Sequence, residues 1–309
     1  MRYAIISDVH GNLPALNAVL KDAKEQNIDK YIFVGDYSLF LQHPNEVIEI
    51  IKIIKNSYVI KGNTDILFEP LPKQDKSKWT DGQFQTLYWC FRNISKENLI
   101  FLRNLPTQLI IDISSERIIN ISHSSRDIVG TSILDLMSNT SFELEHKKNN
   151  INRQQYILKY KEEILLNSDF QASLQKLQNG IYIFGHTHFQ WHIESENKIF
   201  INPGSCGMPL DGEKTASYTI LEINDDIYKV EEKRIFYDVK KVISDLKKSE
   251  LYIVSNVMSN IVIESLNTGI EQLSAFLEYA ENYAKKVNDN IRPYTKKLWE
   301  SAYRNWKNK

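Results

Sequence analysis

The sequence predicts an α/β protein in which short buried strands alternate with helices. Apolar runs of about four residues, rich in Ile, Val, Tyr and Phe, recur along the chain and have the length and composition of buried strands. Between the first of these runs, apolar residues spaced three and four apart indicate helices. Alternation of this kind is typical of βαβ units and of a parallel sheet.

Three strands and two helices open the chain. The runs at residues 3–6, 31–34 and 58–60 predict the strands. Helices are predicted around Pro14 and after Pro44, because apolar residues lie at helical spacing there and proline is favoured in the first turn of a helix. These five elements therefore predict parallel strands with helical crossovers.

A long polar insertion separates two further strands, predicted at residues 118–121 and 181–184. The insertion, at about residues 125–180, is predicted to be helical, with a break at Asn149-Asn150. Because it lies between two strands that end in candidate site residues, we expect it to act as a cap or lid. It contains no motif that names a substrate.

A hairpin and then helices complete the chain. The apolar runs 218–223 and 227–235 flank Asn224-Asp225-Asp226, which predicts the hairpin, and the spacing turns helical from about residue 239. No linker rich in Pro, Gly or Ser interrupts the sequence. We therefore predict one main domain at residues 1–238 and a C-terminal helical extension at 239–309 that packs on the same domain.

Composition predicts a soluble globular protein. Hydrophobic residues make up 42% of the 309 residues, charged residues 25%, and the net charge is −1, so the molecule as a whole is not an obvious binder of polyanions. The N-terminal apolar run is too short for a signal peptide, and no stretch approaches the ~18 apolar residues of a membrane span. Two cysteines, Cys90 and Cys206, cannot form a disulfide framework, so we expect a cytoplasmic protein.

Side chains that can bind a metal ion follow five of the predicted strands. The carboxyl ends of strands are where α/β sheets place their sites, so we expect these side chains to meet. Carboxylates, an amide oxygen and imidazoles are all ligands of divalent cations. Seven such donors exceed the four of a closed tetrahedral site and fit two ions that share a carboxylate. The candidate metal ligands are Asp8, His10, Asp36, Asn63, His123, His186 and His188.

Five short motifs follow one another along the chain: SDVHGN, GDY, GNTD, a lone SH and GHTH. In this order, they resemble the motifs of the calcineurin-like metallophosphoesterase superfamily. SDVHGNLPALNAVL, HPNEVIEII, FLRNLP and INPGSCGMP are similar to the bacterial and archaeal branch of small phosphodiesterases within it. The resemblance covers about residues 1–235, except the insertion. It implies a four-layer α-β-β-α sandwich of two mixed β-sheets, here with the helical insertion and C-terminal helices.

The resemblance also implies two ligand sets that share Asp36 as a bridge. Asp8, His10, Asp36 and His188 would hold the first ion, and Asp36, Asn63, His123 and His186 the second. In such a site a hydroxide between the metals attacks phosphorus in line with the leaving oxygen. We assign the catalytic role to Asp36, Asn63 and His123. The expected cofactors are two divalent ions, manganese first, with iron, zinc, cobalt or nickel as alternatives.

Two positions depart from the relatives that resemble protein phosphatases. Those relatives carry a histidine where this chain has Thr64, and a supporting aspartate where it has Leu39. A general acid of this kind contributes roughly 10²–10⁴-fold to the rate. We therefore expect substrates whose leaving group is already good, or a proton from water or Asp65. The departure favours a phosphodiesterase over a protein phosphatase.

The predicted function is metal-dependent phosphodiester hydrolysis of a small phosphate ester or nucleotide. Alternatives are a phosphomonoesterase, a dinucleoside polyphosphate hydrolase or, in another class, a non-catalytic scaffold with the same fold. Loss of ligands would indicate the scaffold, and this chain has lost none. The oligomeric state stays open, and no membrane partner is expected.

Some residues allow two interpretations. Asn12 could contact a phosphate oxygen or cap a helix, and Asp65 could orient a metal-bound histidine or cap a turn. Asn202 and Ser205 could line the site or form a plain turn. The segment 285–309 has eight Lys or Arg with aromatic residues between them, which could bind nucleic acid, but an amphipathic helix packed on the body is the favoured interpretation.

Overall fold

Two five-stranded sheets form the centre of the protein in a computed structural model that describes residues 1–224 and 227–308. One sheet has the strand order β10-β9-β1-β2-β3 and the other the order β4-β5-β6-β8-β7. The strands are β1 (Arg2–Ile6), β2 (Lys30–Phe33), β3 (Ser57–Val59), β4 (Gln108–Asp112), β5 (Ile118–Ser122), β6 (Gly180–Ile183), β7 (Gln190–Ser195), β8 (Lys198–Pro203), β9 (Ala216–Asn224) and β10 (Ile227–Ile235).

Helices connect and cover the strands. They are α1 (Leu13–Glu25), α2 (Pro44–Ile53), α3 (Asn63–Ile66), α4 (Gln85–Asn93), α5 (Lys96–Asn104), α6 (Arg126–Val129), α7 (Asn139–Asn149), α8 (Arg153–Leu166), α9 (Ser168–Leu174), α10 (Val239–Lys248), α11 (Glu250–Val254), α12 (Asn256–Thr268), α13 (Leu273–Lys286) and α14 (Lys296–Lys307). Short 3-10 turns lie at Leu71–Lys73, Lys76–Lys78 and Ile133–Leu136. The predicted order of strand, helix, strand, helix, strand at the start of the chain is confirmed.

Both sheets are mixed. Strands β1, β2 and β3 are parallel, while β9 and β10 run antiparallel and form the predicted hairpin. Asp225 and Asp226 of its turn lie outside the described residues. In the second sheet β5, β6 and β8 are parallel, and β4 and β7 pair antiparallel at the two edges. These two edge strands were not predicted from the sequence.

Three apolar cores separate four layers. Ile5 and Ile32 of the first sheet and Ile121 of the second lie in one buried core between the sheets. Their neighbours Ala4 and Ile6 belong to a different core, shared with the helices outside the first sheet. Side chains alternate along a strand, so one strand contributes to both cores. The α-β-β-α sandwich is therefore confirmed.

The insertion forms the outer layer of the second sheet. Tyr156 of α8 and Phe170 of α9 are buried in one core with Phe184 and Phe200 of that sheet, and the rings of Phe170 and Phe200 lie 5.3 Å apart. Helix α7 ends at Asn149, as predicted. The apolar face of these helices covers the sheet, while Asn139 at the start of α7 lines a small cavity with His188, so the role of a cap or lid stays a prediction.

The C-terminal helices cover the first sheet. Residues of α10 to α14 share a core with α1, α2 and the outer face of that sheet. The rings of Trp299, Tyr303 and Trp306 lie 4.7, 5.6 and 5.3 Å from the ring of Phe276. The aromatic residues of the basic C-terminal segment therefore pack against the body of the protein.

Candidate metal centre

The structure brings the seven candidate ligands together where parallel strands of both sheets end. Three strands of the first sheet and two of the second contribute to the cluster. Asp8 and His10 follow β1, Asp36 follows β2, Asn63 begins α3 after β3, His123 follows β5, and His186 and His188 follow β6. Loops from parallel strands meet at one edge, so residues distant in sequence become neighbours.

Tight backbone turns present five of the seven side chains. Asp8, His10, Asp36, His186 and His188 have positive φ angles of 54°, 50°, 59°, 68° and 54°. A left-handed conformation costs a residue with a side chain roughly 1–2 kcal/mol. Such strain is concentrated at functional sites, where the surrounding structure enforces it. Here it turns donors spaced two residues apart toward a common point.

Two glycines let the loops after β2 and β3 touch. A Cβ atom on Gly35 would lie 2.4 Å from the backbone nitrogen of Gly62, and one on Gly62 would lie 2.1 Å from Oδ1 of Asp36. Both distances are shorter than any side chain can tolerate. The glycine in front of Asp36 and the glycine in front of Asn63 are therefore required by this close approach.

Two imidazoles meet with their Nε2 atoms facing each other. The Nε2 atoms of His10 and His188 are 3.1 Å apart. The Nδ1 atom of His10 faces the carbonyl oxygen of Ser38 at 3.3 Å, and that of His188 faces the carbonyl of Met208 at 3.0 Å. A carbonyl can only accept, so each Nδ1 carries the proton. Two lone pairs at this distance repel unless a proton or a metal cation lies between them.

A second group of donors surrounds Asn63. Its Oδ1 lies 3.0 Å from Nε2 of His123 and 2.8 Å from Nδ1 of His186. The Nε2 atom of His123 is also 3.5 Å from Oδ2 of Asp36. Nδ1 of His123 donates to the carbonyl of Val34 at 2.6 Å, which directs Nε2 into the cluster.

The carboxylates lie between the two groups. Oδ2 of Asp36 is 3.9 Å from Nε2 of His10 and 3.5 Å from Nε2 of His123. Oδ1 of Asp8 is 3.8 Å and 4.0 Å from the same two atoms. Both carboxylates therefore face both groups, and the assignment of the bridge to Asp36 stays a prediction.

The donor set fits divalent cations. Asp8 is completely buried, and its Oδ1 has no hydrogen-bond donor. The other oxygen of Asp8 accepts from the backbone N–H of His186, and Oδ1 of Asp36 accepts from that of Thr64. Asp8, His10 and His188 can hold one ion, and Asp8, Asp36 and His123 can hold another. A buried anionic oxygen beside imidazole lone pairs is what such ions require.

Burial and neighbouring charges shift the pKa values of the donors in different directions. Burial, and then the neighbouring His188, lowers the pKa of His10 to about 4. Burial also acts to lower the pKa of His123, but the carboxylates of Asp36 and Asp8 outweigh it and raise this pKa to about 10. Burial opposes the ionisation of both carboxylates, and the nearby histidines nevertheless lower the pKa of each. The imidazoles therefore differ widely in pKa and in the positive charge that each offers to the two carboxylates.

Asp65 supports the loops and does not orient a histidine. Its carboxylate accepts hydrogen bonds from the backbone N–H groups of Asp36, Tyr37 and Gly62, at 2.8, 3.2 and 2.9 Å. Burial and the negative Asp36 raise the pKa of Asp65 to about 7, while these N–H groups act to lower it. Of the two interpretations of Asp65, the capping role is the one its contacts support.

Asn12 caps a helix. Its side-chain oxygen accepts from the N–H of Ala15 at 3.2 Å, and its Nδ2 donates to the carbonyl of Gly207 at 2.7 Å. The side chain is 1% exposed. Both of its polar atoms are used within the protein, so the capping interpretation holds and contact with phosphate does not.

Asn202 and Ser205 hold two of the donor loops, a role that the sequence did not single out. Asn202 donates to the carbonyl of Gly185 at 2.7 Å, next to His186. The hydroxyl of Ser205 donates to the carbonyl of Asp8, also at 2.7 Å. The signal that could have revealed them is the NPGS sequence at the end of a buried strand.

Comparison with known proteins places these features in a family. A model of the calcineurin-like phosphoesterase superfamily domain matches residues 1–226. An uncharacterized protein of Methanocaldococcus jannaschii is 30% identical over 263 residues, which cover 80% of this chain and 93% of that protein.

Two solved structures share the fold. A metallophosphoesterase from Sphaerobacter thermophilus superposes with a TM-score of 0.57 at 22% identity, covering 87% of this chain and all of that one. A hypothetical protein from Pyrococcus horikoshii has a TM-score of 0.60 at 21% identity, covering 88% and 99% of the two chains. Together with the matching family model and the relative that is 30% identical, the two-sheet sandwich and the donors at its strand ends show that this chain belongs to the calcineurin-like phosphoesterase superfamily.

Proposed function

We propose that this chain is a dinuclear-metal-dependent phosphoesterase that hydrolyses phosphodiesters. One observation carries the proposal: seven donors converge on two central carboxylates, one of which keeps a buried oxygen without a donor. The proposed first set is Asp8, His10, Asp36 and His188. The proposed second set is Asp36, Asn63, His123 and His186.

The residues of this chain orient the imidazole rings of the site. Bound divalent cations would supply Lewis acidity, lowering the pKa of water and neutralising charge on phosphate oxygens. Backbone carbonyls fix the rings of His10, His123 and His188 so that each Nε2 points inward. We propose Asp36 as the shared ligand, with Asn63 and His123 completing the catalytic half. Manganese is the proposed metal, and the same donors accept iron, zinc, cobalt or nickel.

The residues near the leaving group favour esters that depart without an imidazole proton. Leu39 is apolar and buried, and the hydroxyl of Thr64 is buried without a hydrogen-bond partner. Asp65 is engaged by three backbone N–H groups, which leaves solvent water as the proton source. This supports substrates with good leaving groups.

The charge around the centre supports a diester over a monoester. The cavity that His188 lines and the larger cavity next to it have no lysine or arginine among their described lining residues. A phosphate monoester carries a second negative charge near neutral pH, and a diester carries only one. Without a nearby cationic side chain, the singly charged ester is the better match.

The test combines elemental analysis with a substrate panel. Purified protein should contain two metal equivalents per chain and, with Mn²⁺, should cleave bis-p-nitrophenyl phosphate with a higher kcat/KM than p-nitrophenyl phosphate or a dinucleoside polyphosphate. A monoester or polyphosphate preference would replace the diester assignment with that alternative. Protein that holds metal yet turns over nothing on the panel would point to the scaffold alternative.

A cytoplasmic location stays a prediction. No helix within residues 1–224 and 227–308 combines the length and apolar character needed to cross a bilayer. Cys90 and Cys206 are both buried free thiols, and burial raises the pKa of Cys90 to about 12. Inert thiols of this kind are compatible with a reducing compartment.

A further inference from the structure

An apolar cavity of about 460 Å³ opens beside the candidate metal centre. Its walls come from the loop after β2, from the segment between α3 and α4, and from helices α12 and α13. Leu39, Phe40, Leu87, Met258 and Leu277 are among its apolar lining residues. No charged side chain lines it among the described residues. Its volume falls in the ~300–1,000 Å³ range of small-molecule sites.

A smaller cavity adjoins both this space and the metal centre. It has a volume of about 150 Å³ and is lined by His188, one of the candidate ligands. Phe40, Met258 and Leu273 line both cavities, and the ring of Phe40 lies 5.0 Å from that of His10. The two cavities therefore share a wall, and the smaller one, which Glu271 also lines, extends to a donor of the centre.

The mouth of the larger cavity exposes apolar side chains to water. Leu67 and Phe84 line it and are 44% and 40% exposed. Both could have been polar at no cost to the core, since neither is buried. Apolar residues grouped at the rim of an apolar cavity are typical of a surface that receives a ligand.

We propose that the substrate is an amphiphilic phosphodiester whose alkyl chain, or similar chain-like apolar group, occupies this cavity while its phosphate lies at the metal centre. The proposal rests on the proposed function and names its substrate class. Burying one methylene improves binding by about fourfold. A nucleoside would instead bring hydroxyl and amide groups into a space with few hydrogen-bonding partners, which is unfavourable. The cavity therefore selects chains over nucleosides.

The first experiment varies the chain length. With the Mn²⁺-loaded protein and esters below their critical micelle concentration, kcat/KM for p-nitrophenyl alkyl phosphates should rise at least about 100-fold from the methyl to the octyl ester. Equal kcat/KM values along the series would overturn the inference while leaving the proposed function intact. A failure to hydrolyse any ester would count against the proposed function instead.

Calorimetry keeps the inference testable in that last case. Octyl phosphate should bind the Mn²⁺-loaded protein at least about 100-fold more tightly than methyl phosphate. Similar affinities for the two ligands would refute an alkyl site whether or not any ester is hydrolysed.

Variants then locate the site. Phe84→Glu places a charge at the rim, and Phe236→Glu is the matched control, since Phe236 is 88% exposed and lines neither cavity. The first variant should lower the octyl-to-methyl ratio of kcat/KM at least tenfold, and the control should leave it unchanged. Leu277→Trp, which fills the interior, should lower the same ratio. If the ratio survives both cavity variants in proteins with native circular dichroism, the chain binds elsewhere.

Discussion

Two clusters of this protein contain a buried carboxylate, and they differ in what compensates its negative charge. One is the candidate metal centre. The other, here called the Asp211 cluster, comprises Asp211, Arg153, Arg234, Gln190 and Glu232. Arg234 donates to Oδ1 of Asp211 at 3.0 Å and also contacts Oδ2, and Arg153 donates to Oδ2 at 3.1 Å. Both oxygens are thus satisfied by the protein itself.

The two carboxylates differ in whether charged side chains of the protein donate to their oxygens. Burial acts to raise the pKa of Asp211, but Arg234 and Arg153 together lower it, so the carboxylate is charged and fully paired. Asp8 is equally buried, yet no arginine or lysine of the described residues donates to it, and Nε2 of His188 lies 3.2 Å from its Oδ1. The Asp211 cluster is complete as folded, whereas the donors of the candidate metal centre are arranged to bind a cation. Each prediction below tests one side of this comparison.

The largest effect is expected from Asp36→Asn. Removing the shared carboxylate should lower kcat/KM by at least about 1,000-fold, because metal ions contribute several kcal/mol to such reactions and each ~1.4 kcal/mol is tenfold. Elemental analysis should show lost metal, while circular dichroism stays native. Activity retained at a wild-type level would disprove the two-metal model.

Asp211→Asn should cost stability and not metal. The substitution leaves Arg153 and Arg234 without their carboxylate, and breaking a buried ion pair from one side is strongly destabilising. Because both guanidinium groups are partly exposed, we expect a loss near the lower end of that range, about 3 kcal/mol at pH 7, in urea unfolding. Metal content should equal that of the wild type; a variant that loses its metal would show that the two clusters are coupled.

Chelation should mimic Asp36→Asn and not Asp211→Asn. Cations held at 100 times their Kd stabilise the folded state by about 2.7 kcal/mol. Treatment with EDTA should therefore lower the melting temperature of the wild type and of Asp211→Asn by similar amounts. The Asp36→Asn protein should melt at the same temperature with and without EDTA, and a matching drop there would locate the metals elsewhere.

The smallest effect is the pH dependence of the Asp211 contribution. Its folded pKa is lowered, so its contribution to stability is present above the unfolded value of about 3.9 and is lost as the pH falls through the folded pKa. The difference in unfolding free energy between wild type and Asp211→Asn should thus be constant from pH 7 to 5 and shrink below about pH 4. A difference that grows on acidification would contradict this assignment.

The central strands could be predicted from sequence, and two edge strands could not. Runs such as residues 3–6 are apolar on both faces because layers cover both sides, so composition alone reveals them. Strand β4, Gln108–Asp112, is exposed at every second residue, and β7 alternates apolar residues with His192 and Glu194. Such short alternating segments at a sheet edge resemble loops.

The metal-binding donors could be predicted from local sequence, whereas the residues that position them could not. Each donor directly follows its own strand, so a short stretch of sequence is enough to identify it. The hydrogen bond from Ser205 to Asp8 joins residues 197 apart, and the walls of the apolar cavity come from three separate parts of the chain. Which surface the insertion covers could not be predicted either, because helical spacing does not say against what a helix packs.

The placement of the donors on both sheets has a consequence for how the protein is made. His10 and His188 are 178 residues apart, and Tyr3 pairs with Leu221 across β1 and β9. Contacts this distant form late, after the entropy of closing a long loop has been overcome. A chain emerging from the ribosome therefore cannot assemble the proposed donor set until His188 has been synthesised. Once captured, the cations would join the beginning of the chain to its middle, so that opening the two sheets and releasing the metals become a single event.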